Sequence, residues 1–240
     1  MRLGIVVQCR FNSKRYKGKI LKKINHLTIL EILIERLRFS KLADDICLAI
    51  ADTEDDLKIV NLAKKLNINY FVGSEKNVLS RHYHAAKKMN YDHIMRVTSD
   101  CPLIDPSLLD ILIENFKKHK NIDYLSNALL RSFPLGMEAE IFTFNSLALS
   151  FFNANDDYDK EHVTTYIKNS KKLIKKNYLS KDNLSKYRFT LDTKEDFNLI
   201  SNIFSTLYPI NKNFGLNDII LLMKQNKNLY KINNKISQIS

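Results

Sequence analysis

Glycine is scarce in this chain, five residues in 240, and neither a GxxxxGK[ST] phosphate loop nor a GxGxxG dinucleotide turn occurs in it. P-loop and dinucleotide-fingerprint readings are therefore excluded. Only four prolines are present, tryptophan is absent, and no proline- or glycine-rich linker divides the sequence. Cysteine is also rare: Cys9, Cys47 and Cys101 form no CxxC pair and stand in or beside apolar runs. Buried thiols are expected rather than a disulfide framework or a zinc site. No stretch approaches the roughly 18 consecutive apolar residues that cross a bilayer. The opening MRLGIVVQCRF meets charge too early for the apolar region of a signal peptide. The expectation is a cytoplasmic protein with no membrane partner.

What the chain does have is apolar mass and positive charge. Hydrophobic residues make up 45%, ample for a core, and Lys and Arg exceed Asp and Glu by 38 to 26, a formal charge of +12. A basic nucleic-acid-binding protein is the non-enzymatic alternative, and its affinity would fall steeply with salt. The lysines, however, punctuate helical patterns at 117–118, 171–172 and 175–176 instead of forming one tract interleaved with aromatics. Solvated faces and no nucleic-acid partner are the expectation.

Strand-like and helical patterns alternate through the first half. Strands are expected at Leu3 to Val7, Asp45 to Ala51, Asn69 to Val72 and His93 to Val97. Helices are expected from Ile29 after a Thr28 cap, over Leu57 to Leu66 behind Thr53 and Asp56, from about Asn77 to Lys88, and from Ser107 to about His119. Such alternation implies βαβ units and a parallel sheet. Beyond it, strands are expected at 122–125, 139–144 and 188–191, and helices at 146–152, 162–169 and 194–207. One domain over 1–240, with a mixed-sheet insertion at about 122–180, is the simplest organisation.

Three segments carry candidate chemistry. At the end of the first strand the chain reads Val7-Gln8-Cys9-Arg10-Phe11-Asn12-Ser13-Lys14-Arg15-Tyr16-Lys17-Gly18-Lys19. Arg10, Lys14, Arg15 and Lys19 with backbone N–H groups near Ser13 and Gly18 would suit a polyphosphate, and a solvated basic loop is the alternative. A second strand ends in Thr98-Ser99-Asp100-Cys101-Pro102. Asp100 there is a candidate ligand for Mg²⁺, or else it or Asp105 closes an Asx turn. The third, Arg188-Phe189-Thr190-Leu191-Asp192-Thr193, places Asp192 where it meets the same metal or simply caps a helix with Thr193. Glu138 and Glu140 stand at strand spacing and so project to one face, His162 falls at an expected helix start, and Gly73-Ser74 leads into a helix carrying Arg81.

Taken in order, these blocks resemble the sugar-activating cytidylyltransferases of the spore-coat-polysaccharide-protein-F type, related to acylneuraminate and 3-deoxy-manno-octulosonate cytidylyltransferases. The resemblance runs through Gln8 to Leu21, Phe71 to Arg81, Arg96 to Pro106, Pro134 to Glu140, Glu161 to Thr164 and Arg188 to Asp196, nearly the whole chain. It departs from the family at Cys9, where alanine is usual, and at Lys17, where proline would stiffen the loop. It implies a Rossmann-like α/β nucleotide-diphospho-sugar transferase fold, three layers about a mostly parallel mixed sheet. It also implies transfer of a cytidylyl group from CTP to a small acidic sugar with release of pyrophosphate, in a Mg²⁺-dependent homodimer whose 122–180 insertion serves the acceptor and the dimer contact.

By the same resemblance Arg10, Lys19 and Asp100 are catalytic. Gln8, Arg10, Ser13, Arg15, Lys19, Gly73, Ser74 and Asp100 bind nucleotide; Arg81, Glu140 and His162 face the acceptor; Asp100 and Asp192 hold the metal. A different phosphorylated or carboxylated acceptor remains an alternative. A glycosyltransferase on the same fold is another.

Overall fold

Six of the seven residues of Leu3–Cys9 are buried, and they form β1. In the computed structural model, which describes residues 2–13 and 15–236, β1 lies between β4 (Asp45–Ala51) and β6 (His93–Thr98) and runs parallel to both. Lys14 lies outside the described residues. A fourth parallel strand, β5 (Asn69–Gly73), extends the sheet beyond β4. On the other side β8 (Glu140–Thr143) pairs antiparallel with β6 and with β7 (Tyr124–Ser126), and β9 (Lys175–Asn177) runs parallel to β7. The order is β5-β4-β1-β6-β8-β7-β9, and a separate hairpin joins β2 (Lys23–Ile24) to β3 (Leu27–Thr28).

Alternation along the strands builds two cores. Leu3, Ile5 and Val7 of β1 and Leu48 and Ile50 of β4 face one side. They pack there with α1 (Ile29–Leu37), α2 (Leu57–Lys65), α4 (Pro106–Lys118), α8 (Lys194–Leu207) and α9 (Leu216–Gln225). Val6, Cys47 and Ala49 face the opposite side, with α3 (Val78–Lys88), α5 (Phe144–Asn153) and α7 (Thr165–Asn169). The result is the expected three-layer α/β/α arrangement. The short α6 (Asp157–His162) and α10 (Lys227–Lys231) complete the helices.

Local chemistry sets the helix starts. Thr28 and Glu31 form a capping box on α1, and Asp105 caps α4 with Pro106 in its first turn. The helix expected from Ser107 thus starts one residue earlier, at Pro106. All three cysteines are buried thiols. Among the described residues no helix is long and apolar enough to cross a membrane.

Two expectations fail. Residues 188–191 form no strand; Leu135 and Arg188 make only an isolated bridge. The helix expected over 162–169 is broken, because Val163 takes φ 61° and ψ −53° and the Thr164 N–H donates to the His162 carbonyl at 2.6 Å. This is a γ-turn centred on a buried β-branched residue, a strained conformation. His162 accordingly ends α6 instead of starting a helix.

Candidate active site

The loop after β1 and the turn after β6 leave the carboxyl ends of neighbouring parallel strands, where α/β sheets form ligand crevices. Between them opens a cleft of about 1000 Å³. Its wall carries seven arginines and lysines to five carboxylates, a lining suited to a polyanion.

The loop is held by groups that do not themselves enter the cleft. The Phe11 N–H donates to Asp56 Oδ1 at 2.7 Å, and Thr53 Oγ1 donates to Asp56 Oδ2 at 2.5 Å. Asp56 is therefore a loop anchor, beyond the helix-starting role read from its position. Gly18 turns the chain at φ 68°, its N–H on the Phe11 carbonyl at 3.0 Å. Lys17, at the usual proline position, points away to Asp55 at 3.7 Å.

Lys19 follows this turn and reaches into the floor of the cleft. Its Nζ donates to Asp100 Oδ2 at 2.7 Å, Asp192 Oδ1 at 2.9 Å and the Leu191 carbonyl at 2.6 Å. The two aspartates, 92 positions apart, thus converge on one cation. Burial works against the charge on Lys19, but the two carboxylates outweigh it and raise its pKa. Burial likewise pushes the Asp100 carboxyl up, and Lys19 more than reverses that.

The competing capping roles fall elsewhere. Asp105 caps α4, while Thr193, boxed with Asp196, caps α8. Asp192 is left to hold cations: Arg188 Nη2 and Arg15 Nη2 each lie at 3.0 Å from its Oδ2. Arg188, almost wholly buried, also clasps Asp196 through Nε at 2.9 Å and Nη2 at 3.0 Å.

A second network lies toward β8. Arg96 Nε donates to Gln8 Oε1 at 3.1 Å, and Arg96 Nη1 pairs with Glu140 Oε2. Glu140 also accepts from Tyr124 Oη at 2.6 Å and Thr164 Oγ1 at 2.8 Å, and pairs with Lys168 Nζ at 2.7 Å. Burial would push its carboxyl up, but Arg96 and Lys168 hold it far below the ordinary carboxylate range. The γ-turn at Val163 sets this geometry: it turns Thr164 inward to Glu140, while His162 remains on the cleft wall with its ring 4.2 Å from that of Tyr158. Arg10 pairs with Glu161 just before this turn, at 3.3 Å.

The model of the cytidylyltransferase family matches residues 4–236. The chain belongs to the cytidylyltransferase family. An uncharacterised protein of Methanocaldococcus jannaschii is 38% identical, covering 100% of this chain and 98% of its own length. The spore coat polysaccharide biosynthesis protein SpsF of Bacillus subtilis is 33% identical, covering 83% of this chain and 85% of its own. The solved structure of a cytidylyltransferase from Leptospira borgpetersenii has a TM-score of 0.92 at 34% identity, over 100% of this chain and 99% of the other. The sheet is thus the Rossmann-like sheet of nucleotidyltransferases, and the protein is a nucleotidyltransferase.

Of the residues singled out in this cytidylyltransferase from sequence, Gln8, Arg10, Ser13, Arg15, Lys19, Arg81, Asp100, Glu140, His162 and Asp192 all line the cleft. Gly73 and Ser74 do not. They lie at the end of β5 and support α3, whose Asn77 N–H donates to Ser74 Oγ at 3.2 Å. Arg81 donates to the carbonyls of Ser74 and, at 2.9 Å, Glu75, which ties that loop to the cleft wall. Glu140 is also not a free acceptor contact, since its carboxylate already has four partners.

The sequence reading missed Arg96 and Lys168 as site residues, although Arg96 stood inside a block already singled out. It also missed how Gly136 fixes the far wall. There φ is +98°, and a Cβ would lie 2.5 Å from the backbone of Phe189 and Thr190. Gly136→Ala is expected to cost more than about 2 kcal/mol, read as a lowered midpoint in urea unfolding. An unchanged midpoint would show that the contact between residues 134–138 and 188–191 is dispensable.

Proposed function

We propose that the enzyme transfers the cytidylyl group of CTP to a hydroxyl of a small sugar acid, releasing pyrophosphate, and that the product feeds surface polysaccharide assembly. The observation that carries this reading is the convergence of Asp100 and Asp192 on Lys19 beneath a loop bearing Arg10 and Arg15. Membership of the family and likeness to a polysaccharide biosynthesis protein support it.

The residues fit Mg²⁺. Two carboxylates meet at one point now satisfied by an ammonium group, and both offer the hard oxygens the ion prefers. Among the described residues no three metal-binding side chains cluster, so triphosphate oxygens and water would complete the coordination shell. When bound, the ion would polarise the α-phosphate and neutralise charge developing on it.

The protein's own groups do the positioning. Arg10, Arg15 and Lys19 neutralise the triphosphate and hold it in line for displacement, while backbone N–H groups near Ser13 add neutral donors. Glu140 fixes the orientation of Arg96 and Lys168, which offer the acceptor's carboxylate two cations at the β8 end of the cleft. Gln8, held by Arg96, stands between the nucleotide and acceptor halves. A cleft of about 1000 Å³ has room for a nucleotide and a second ligand together.

The deciding assay is pyrophosphate release from each of the four ribonucleoside triphosphates with a panel of sugar acids and sugar phosphates. Release should require CTP and a carboxylated sugar. Equal release with all four triphosphates, or none with any acceptor, would overturn the reading.

A further inference from the structure

One acid in the cleft has no task in the scheme above. Glu138 lies two residues before β8 and lines the same cleft as Asp100 and Thr190. Its Oε2 accepts the Gly136 N–H at 2.6 Å, so the carboxyl group is anchored in one orientation. Its Oε1 is buried and has no hydrogen-bond partner among the described residues. A buried lone pair left unmatched is costly, and a hydroxyl delivered by a ligand would match it. The segment is immobilised by the Gly136 contact with Phe189 and Thr190, and by the Phe189 N–H donating to the Leu135 carbonyl at 2.6 Å. Glu138 is thereby tied to the same backbone that carries Asp192.

We propose that Glu138 is the general base of the transfer, its Oε1 receiving the proton of the attacking acceptor hydroxyl. This rests on the nucleotidyl-transfer reading above. The acceptor oxygen forms its bond to the α-phosphorus, the bond from that phosphorus to the β-phosphate's bridging oxygen breaks, and pyrophosphate leaves with the electron pair. The proton passes to the Glu138 carboxylate and then to solvent after the product departs.

The other carboxylates of the cleft are poorly suited to the task. Asp100 and Asp192 are bound to Lys19, Glu140 is held far below the ordinary range by Arg96 and Lys168, and Glu161 is paired with Arg10. Glu138 is different. Burial pushes its carboxyl up to about 7; the Gly136 N–H and Arg131 pull against that, and the Asp100 charge adds to it. A base poised near neutral pH gives efficient proton transfer under ordinary conditions.

The test compares the wild type with Glu138→Gln, which keeps an oxygen for the Gly136 N–H but cannot take a proton, and with Glu138→Asp. Below pH 7 the wild-type kcat should fall tenfold per pH unit as the base is protonated. In Glu138→Gln kcat should drop by about 10²–10⁴-fold with KM for CTP unchanged, and this acid limb should vanish. Glu138→Asp should recover part of kcat and restore the limb. In ¹³C NMR the carboxyl signal absent from Glu138→Gln should titrate near 7.

A Glu138→Gln enzyme that keeps its acid limb or its kcat overturns the proposal, as does an ordinary carboxyl titration. Hydrolysis of CTP to CMP and pyrophosphate, with water in the acceptor's place, reads the same proton transfer. If no acid of the panel is turned over, the acceptor reading fails while hydrolysis still decides the base. A protein that also leaves CTP intact loses both.

Discussion

Asp192→Asn is expected to slow pyrophosphate release from CTP by about 10²–10³-fold or more while leaving the protein folded. The replacement is nearly isosteric, and it removes one negative charge where Lys19, Arg188 and Arg15 meet. Each of the two buried cations keeps another carboxylate: Lys19 retains Asp100, and Arg188 retains Asp196. The helix that follows is untouched because Thr193 caps it. Folding therefore loses part of a redundant network, whereas the proposed metal position loses half its protein ligands. Turnover with CTP and the melting temperature should be read on the same preparation. Asp100→Asn should behave alike, since Lys19 then keeps Asp192. Full activity in both variants would remove the metal assignment.

Glu140→Ala should act through stability. Four groups depend on this one carboxylate, two of them cations, and Arg96 is largely buried. Removing one partner of a buried ion pair leaves charge uncompensated and costs about 3–5 kcal/mol. Lys168 is partly exposed, so the low end applies. In a chain of this size about 3 kcal/mol corresponds to a fall of roughly 6–12 °C in Tm.

The pH dependence has a definite sign. The carboxyl's pKa is lower folded than unfolded, so its stabilisation is fully present above the ordinary glutamate value and is lost as pH falls below it. The difference in Tm between wild type and variant should shrink as pH is lowered through that range. A difference that stays constant would show that packing, not charge, accounts for the loss.

Much of this site could be read in the chain because its parts are punctuated by strand ends. β1, β4 and β6 are largely buried apolar runs with abrupt polar ends; Asp100 stands two residues after one such end, and Lys19 lies in the loop that follows another. Capping and metal binding were both legible as roles for Asp192, and of the two the cap falls to Thr193.

What stayed hidden depends on long-range contacts. Residues 188–191 look like a strand by composition, yet their only strand pairing among the described residues is the isolated bridge of Arg188 to Leu135, and strand character requires a continuous partner. The break at Val163 has no local signature, since a buried valine at positive φ is held by its surroundings. Glu138 and Glu140 share a strand-like spacing and both reach the cleft. Their chemistry diverges because Arg96 and Lys168 surround only the second, and no spacing rule reveals that.

The bond from Lys19 to the Leu191 carbonyl spans 172 positions, and it has company. Arg36 reaches the Phe214 carbonyl across 178 positions, and Tyr208 reaches Glu35 across 173. Early and late parts of the chain are thus joined both at the cleft floor, through Lys19, and away from it, through Arg36 and Tyr208. On the ribosome, β1 and its basic loop emerge long before the segment that completes them. Until Asp192 arrives, the loop has only part of its counter-charge, and the nascent domain has no assembled centre. Such non-local closure makes assembly late and cooperative. A nascent chain arrested before residue 191 would hold β1, β4, β5 and β6 without the segment that completes the Lys19 centre.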